Sequence, residues 1–133
     1  MITVMQKTVL LVDDDEEEFY IIKMALELEG IDFRCAWANG LEQAMLVVKE
    51  LQPDFVFIDI NMPRFNGLNC LKQLKQMEQL RDSVFVMYST YISEEDHDKA
   101  VQMGASYCIR KPENVKVLRK ELISLFYNKT HCS

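Results

Sequence analysis

Phe55-Val56-Phe57-Ile58 is a run of four β-prone apolar residues closed on both sides by acids, Asp54 and Asp59. A strand with one wet face alternates apolar and polar side chains. An unbroken apolar run of this length needs cover on both faces, which is what a parallel sheet between helix layers provides. Met62-Pro63 and Asn66-Gly67 mark a loop just beyond it. Asp59 is thereby left at the carboxyl end of a buried strand, the edge at which open α/β sheets place their chemistry.

The rest of the chain repeats the unit. Residues 8–12 form a short apolar run that ends in the acids Asp13 to Glu18. A helical spacing follows through Phe19, Ile22, Ala25 and Leu26, stopped by Gly30. Acids in a first turn are favoured by the helix dipole. That explains Asp15 to Glu18 as a solvated helix start, and leaves Asp13 and Asp14 in the strand-to-helix turn. Residues 33–37 read as a second strand. Asn39 reads as the cap of a second helix, with Glu42 three residues on. The third helix runs from Leu68 to about Glu78, and the fourth strand over 84–88. Ser93 caps a weakly amphipathic fourth helix, and 106–109 form a short fifth strand. A last helix carries Val115, Leu118, Leu122 and Leu125, with a frayed tail over 128–133. Five strand–helix units predict a flavodoxin-like (βα)5 sandwich with parallel strand order 2-1-3-4-5. The expectation is a single domain over 1–133 with its core at about 8–127.

Composition narrows the function. The 133 residues are enough for one domain, and 49% are hydrophobic, so a packed core is expected. A net charge of −6 without a basic stripe argues against a nucleic-acid partner. No apolar run approaches a membrane span, and no signal peptide is legible at the start. The four cysteines lack C-x-x-C spacing, so neither a zinc site nor a disulfide framework is expected, and a cytoplasmic setting is the default.

The predicted strand ends bring together Asp13 and Asp14 from the first strand, Asp59 from the third, Ser89 from the fourth and Lys111 from the fifth. Clustered carboxylates repel one another and persist when a cation offsets them. An all-oxygen set suits Mg2+, with Mn2+ as an alternative. The set is what phosphoryl transfer to a carboxylate needs. Asp59 is the candidate nucleophile, while the metal, Lys111 and the Ser89 hydroxyl neutralise charge on the phosphoryl oxygens. The backbone carbonyl of Asn61 is a further candidate ligand.

These residues, with Leu11-Val12-Asp13-Asp14-Asp15, Asp59-Ile60-Asn61-Met62-Pro63, Gly67, Gly104-Ala105 and Lys111-Pro112, resemble the receiver domains of two-component response regulators. The resemblance covers nearly the whole chain. It implies phosphorylation of Asp59 by a histidine kinase or phosphotransfer protein, with Mg2+ at Asp13, Asp14, Asp59 and the Asn61 carbonyl. It implies that Ser89 and Lys111 bind the phosphoryl group, that the bond before Pro112 is cis, and that output runs through contacts with a downstream protein. A homodimer on phosphorylation is compatible with it. The chain would be a signalling switch that catalyses only its own phosphorylation and dephosphorylation.

Departures from the family pattern fall at Thr90, where Ala or Gly is usual, at Tyr91, a position that tunes phosphate lifetime, and at Cys108, where an aromatic is usual. The aromatic is at Tyr107, on the other face of the strand by alternation. Three competing readings are a phosphatase of the haloacid-dehalogenase type, a receiver that serves only as a scaffold, and a flavin-binding protein. The first wants an acid where Asn61 stands. The last would hold a phosphate at a turn that is here acidic.

Overall fold

A computed structural model describes residues 6–131. Its elements alternate as expected: β1 (Lys7–Val12), α1 (Glu16–Leu28), β2 (Phe33–Ala38), α2 (Leu41–Glu50), β3 (Phe55–Ile58), α3 (Gly67–Lys75), β4 (Val84–Ser89), α4 (Glu94–Gln102), β5 (Tyr107–Arg110) and α5 (Val115–His131). The strands form one parallel sheet in the order β2-β1-β3-β4-β5. This is the flavodoxin-like order, and β3 lies at its centre.

The apolar run at β3 is covered on both faces. Phe55 and Phe57 point into a cluster built with α1 and α5, where Phe55 packs on Phe126 with ring centroids 4.5 Å apart. Val56 and Ile58 point into the opposite cluster, built with α2, α3 and α4. All four are fully buried, and each such side chain contributes roughly 1.5–3 kcal/mol of hydrophobic stabilisation. The clusters on either side of the sheet explain why no alternation is visible in the sequence.

Local chemistry sets the helix ends. Asp15 caps α1 by accepting from the Glu17 N–H at 3.0 Å, and Gly30 leaves the helix at φ +67°. Ser93 caps α4 as expected, accepting from the Asp96 N–H at 3.0 Å. The cap of α2 differs from the expectation. Gly40 holds that position without a side-chain bond, and Gln43, one residue beyond Glu42, reaches back to accept from the Asn39 N–H at 2.8 Å. Helix α3 stops at Lys75, and the predicted extension to Glu78 is replaced by a 3-10 turn, Glu78–Leu80, that buries Leu80. Helix α5 continues to His131, past the expected start of a frayed tail, because Asn128-Lys129-Thr130 contains neither Pro nor Gly to stop it. Residues 132 and 133 lie outside the described residues, and Cys132 with them. Cys35, Cys70 and Cys108 are unpaired.

No peptide bond among the described residues is cis, which corrects the expectation for Lys111–Pro112. An X–Pro bond favours trans by about 0.5–1 kcal/mol, and with it Lys111 still meets the acids described next.

Candidate functional site

The register of the sheet brings the ends of β1, β3, β4 and β5 to one edge, and the residues expected there converge. Asp13 follows β1, whose last residue Val12 pairs with Ile58 of β3. Asp59 continues β3, with its N–H donating to the Val12 carbonyl at 3.0 Å. Ser89 ends β4, and its carbonyl accepts from the Lys111 N–H at 2.9 Å. Backbone pairing alone therefore sets these side chains side by side.

Carboxylate oxygens of Asp13, Asp14 and Asp59 all lie within 4.8 Å of one another. Asp13 is fully buried, Asp59 is 6% exposed, and Asp14 is open to solvent. Asp13 accepts from the Asp15 N–H at 2.9 Å through Oδ1 and from Lys111 Nζ at 2.8 Å through Oδ2. Burial pushes its carboxyl up to about 6, against the opposing pull of Lys111. Burial outweighs repulsion from Asp59, which the sequence argument put first. Asp59 accepts from the Ser89 hydroxyl at 2.7 Å and the Asn61 N–H at 3.1 Å through Oδ1, and from Lys111 Nζ at 3.4 Å through Oδ2.

Lys111 is the cation of the site. Its side chain is 12% exposed, and its ammonium stands 5.7 Å from the centre of the Tyr88 ring. Burial pulls its pKa down, but the bond to Asp13 and the charges of Asp13, Asp59 and Glu18 outweigh that and leave it raised. The ammonium is therefore charged at neutral pH. The acidic trio offers only hard oxygen donors in a compact group, with one member facing solvent where waters can complete the shell. That donor set fits a hard divalent cation.

Thr90 and Tyr91, at the start of the β4–α4 loop, are both exposed, Tyr91 by 62%. The loop is tied to the site by Asn61, whose side-chain amide donates to Ser89 Oγ at 3.1 Å and to the Tyr91 carbonyl at 2.9 Å. Tyr107 and Cys108 diverge as alternation requires. Cys108 packs against the cluster under α4, beside a cavity of about 250 Å3 bordered by Ile92, His97 and Arg110. Tyr107 is 36% exposed. A larger cleft of about 520 Å3 opens at Asp14, between the β2–α2 turn and the loop bearing Arg64 and Phe65.

Three residues have roles in the site that the sequence reading did not assign. Glu18, taken there as a solvated helix start, folds inward with its side chain 20% exposed and lies 3.8 Å from Lys111 Nζ. Its pKa is raised, by burial above all. Trp37 of β2 donates from Nε1 to the Asp13 carbonyl at 2.7 Å. Gly67, expected only to shape a turn, abuts the Asp59 carbonyl so closely that a side chain would collide with it. For Glu18 a signal was present in the Asp15-x-x-Glu18 pattern of a capping box. For Trp37 there was none, since its partner lies 24 positions away.

Residues 9–123 match the family described as response regulator receiver domain. The chain is 30% identical over 111 residues to the polar-differentiation response regulator DivK of Brucella anthropi, covering 84% of this chain and 89% of that protein. It is 30% identical over 106 residues to the phosphate regulon transcriptional regulatory protein PhoB of Pseudomonas aeruginosa, covering 80% of this chain and 45% of PhoB. The chain therefore spans less than half the length of that relative. A response regulator from Thermotoga maritima superposes with a TM-score of 0.76 at 25% identity, covering 90% of this chain and 97% of that one.

Proposed function

The chain belongs to the response regulator receiver domains, and on that premise we propose that Asp59 accepts a phosphoryl group from a histidine kinase or phosphotransfer protein. The observation that carries the proposal is the convergence of the Asp13, Asp14 and Asp59 oxygens within 4.8 Å, with Lys111 Nζ 3.4 Å from Asp59.

In the reaction an Asp59 carboxylate oxygen attacks phosphorus, the bond from phosphorus to the donor's imidazole nitrogen breaks with its electron pair passing to that nitrogen, and the ring leaves as neutral imidazole because its other nitrogen carries a proton. Mg2+, held by Asp13, Asp14, Asp59 and the Asn61 carbonyl, with Mn2+ as a substitute, would offset charge on the phosphoryl oxygens when bound. Lys111 supplies a fixed positive charge to one of those oxygens, and Ser89 turns its hydroxyl from Asp59 Oδ1 to donate to another. Asn61 carries an amide where a phosphatase of the haloacid-dehalogenase type wants a general acid. Thr90 and Tyr91 stand beside the site and slow the attack of water on the acyl phosphate. The output is a contact with a downstream protein, in the cytoplasm, with homodimerisation as one form it takes. The domain in this reading extends over 1–133.

Incubation with acetyl phosphate and Mg2+, followed by intact mass, tests the proposal. The expected result is a labile gain of one phosphoryl group that is absent in Asp59→Asn and after chelation of the metal. An unchanged mass overturns it. Continuous release of phosphate from an added ester would favour a turnover phosphatase instead.

A further inference from the structure

The first-turn acids of α1 do not behave alike. Glu16 and Glu17 are exposed, while Glu18 turns inward. In a capping box the acid at this position would reach back to the N–H of the cap residue. Here that N–H, on Asp15, donates to Asp13 Oδ1 at 2.9 Å instead. The Glu18 carboxylate is thus released from capping and faces Lys111.

Lys111 Nζ has carboxylate neighbours at 2.8 Å (Asp13), 3.4 Å (Asp59) and 3.8 Å (Glu18). Asp13 and Asp59 belong to the converging acidic trio, and Glu18 does not. A divalent cation on the trio repels an ammonium bonded to one of its ligands. The ammonium cannot leave freely, because its backbone is pinned to Ser89 and its side chain is largely enclosed. Glu18 is the one neighbouring carboxylate in that set left to receive it, and at 3.8 Å the pair has room to close to a hydrogen bond.

Resting on the phosphoacceptor reading above, we propose that Glu18 is a positioning residue: it takes the Lys111 ammonium from Asp13 when a metal binds, and keeps it beside Asp59 for the incoming phosphoryl group. Glu18 touches neither the metal nor the phosphoryl oxygens, and acts through Lys111.

The test is a double-mutant cycle in Mn2+ affinity, with free Mn2+ counted by electron paramagnetic resonance, across wild type, Glu18→Gln, Lys111→Met and the double variant. Met keeps the lysine stem's packing. Glu18→Gln is expected to weaken Mn2+ binding about threefold to fivefold with Lys111 present, and by at most half that factor in the Lys111→Met background. Loss of one negative charge acting only through its field would weaken binding equally in both, which overturns the proposal. At saturating metal, Glu18→Gln is also expected to be labelled by acetyl phosphate about threefold more slowly. A field effect alone predicts the opposite sign, since the donor is an anion, so labelling as fast as wild type or faster also overturns it. Wild type that binds Mn2+ but gains no phosphoryl mass would instead overturn the phosphoacceptor reading.

Discussion

At Gly67 an added methyl group would fall on the Asp59 carbonyl oxygen and 2.6 Å from the Ile60 Cα. Both are backbone and cannot swing aside. Gly67→Ala is therefore expected to destabilise the protein by about 2–4 kcal/mol, read as a lowered urea midpoint. A change below about 1 kcal/mol would show that the β3–α3 loop yields more easily than its packing implies. Asp13 makes a different prediction. Its carboxyl titrates at about 6 in the folded chain against an ordinary value of 3.8. The folded state therefore holds a proton that the unfolded state has lost between these limits, so the stability of the chelated protein falls as pH rises through this window. A divalent cation such as Mg2+ bound there would have to displace that proton. Its affinity is expected to rise from pH 5 to pH 7 and then level off, in titrations at fixed ionic strength. The strand-end residues Asp13, Asp59, Ser89 and Lys111 were legible because parallel strands carry their chemistry at one edge. Glu18 was not, because the helix dipole already accounts for an acid in a first turn, and the capping-box spacing Asp15-x-x-Glu18 aims it at a backbone N–H rather than at a lysine 93 positions later.

Among the elements, the β4–α4 connection is where order and exposure meet. Ser89 is 1% exposed and Tyr91 62%, and Asn61 binds both the Ser89 hydroxyl and the Tyr91 carbonyl. Asn61→Ala removes that tie while leaving the Ser93 cap of α4 intact. Amide exchange over 89–92 is expected to accelerate about tenfold with little change in α4, corresponding to about 1.4 kcal/mol of local opening. Tyr91→Ala, in the phosphorylated protein, is expected to shorten the acyl-phosphate lifetime. An unchanged half-life would remove Tyr91 from the shielding role. The strands and most helix starts could be read from apolar runs and caps such as Ser93. The extent of α5 could not, since its last turns carry polar residues with no stop signal. The cap of α2 was misplaced because Asn39 and Gly40 both suit a helix entry, and the choice rests on which side chain reaches the free N–H.

For the whole molecule, the strand order makes the site communicate with the sheet's edge. Trp37 is the only tryptophan in the chain, and it sits on the edge strand β2 with its indole N–H on the Asp13 carbonyl. Its fluorescence is expected to change on Mg2+ addition and to stay unchanged in Asp13→Asn, which makes it a built-in optical probe. A signal identical in the two proteins would place the metal elsewhere. The flavodoxin-like order was legible in advance because strand–helix alternation and crossover handedness leave few arrangements, and that order puts β3 between β1 and β4. The Lys111–Asp13 bond joins residues 98 positions apart. Its partners lie after the first strand and at the exit of the last, so the cation reaches the acids only when β5 has docked on β4. A chain that stops short of β5 would keep the three acids of the site and lack the one ammonium that stands against Asp13 and Asp59.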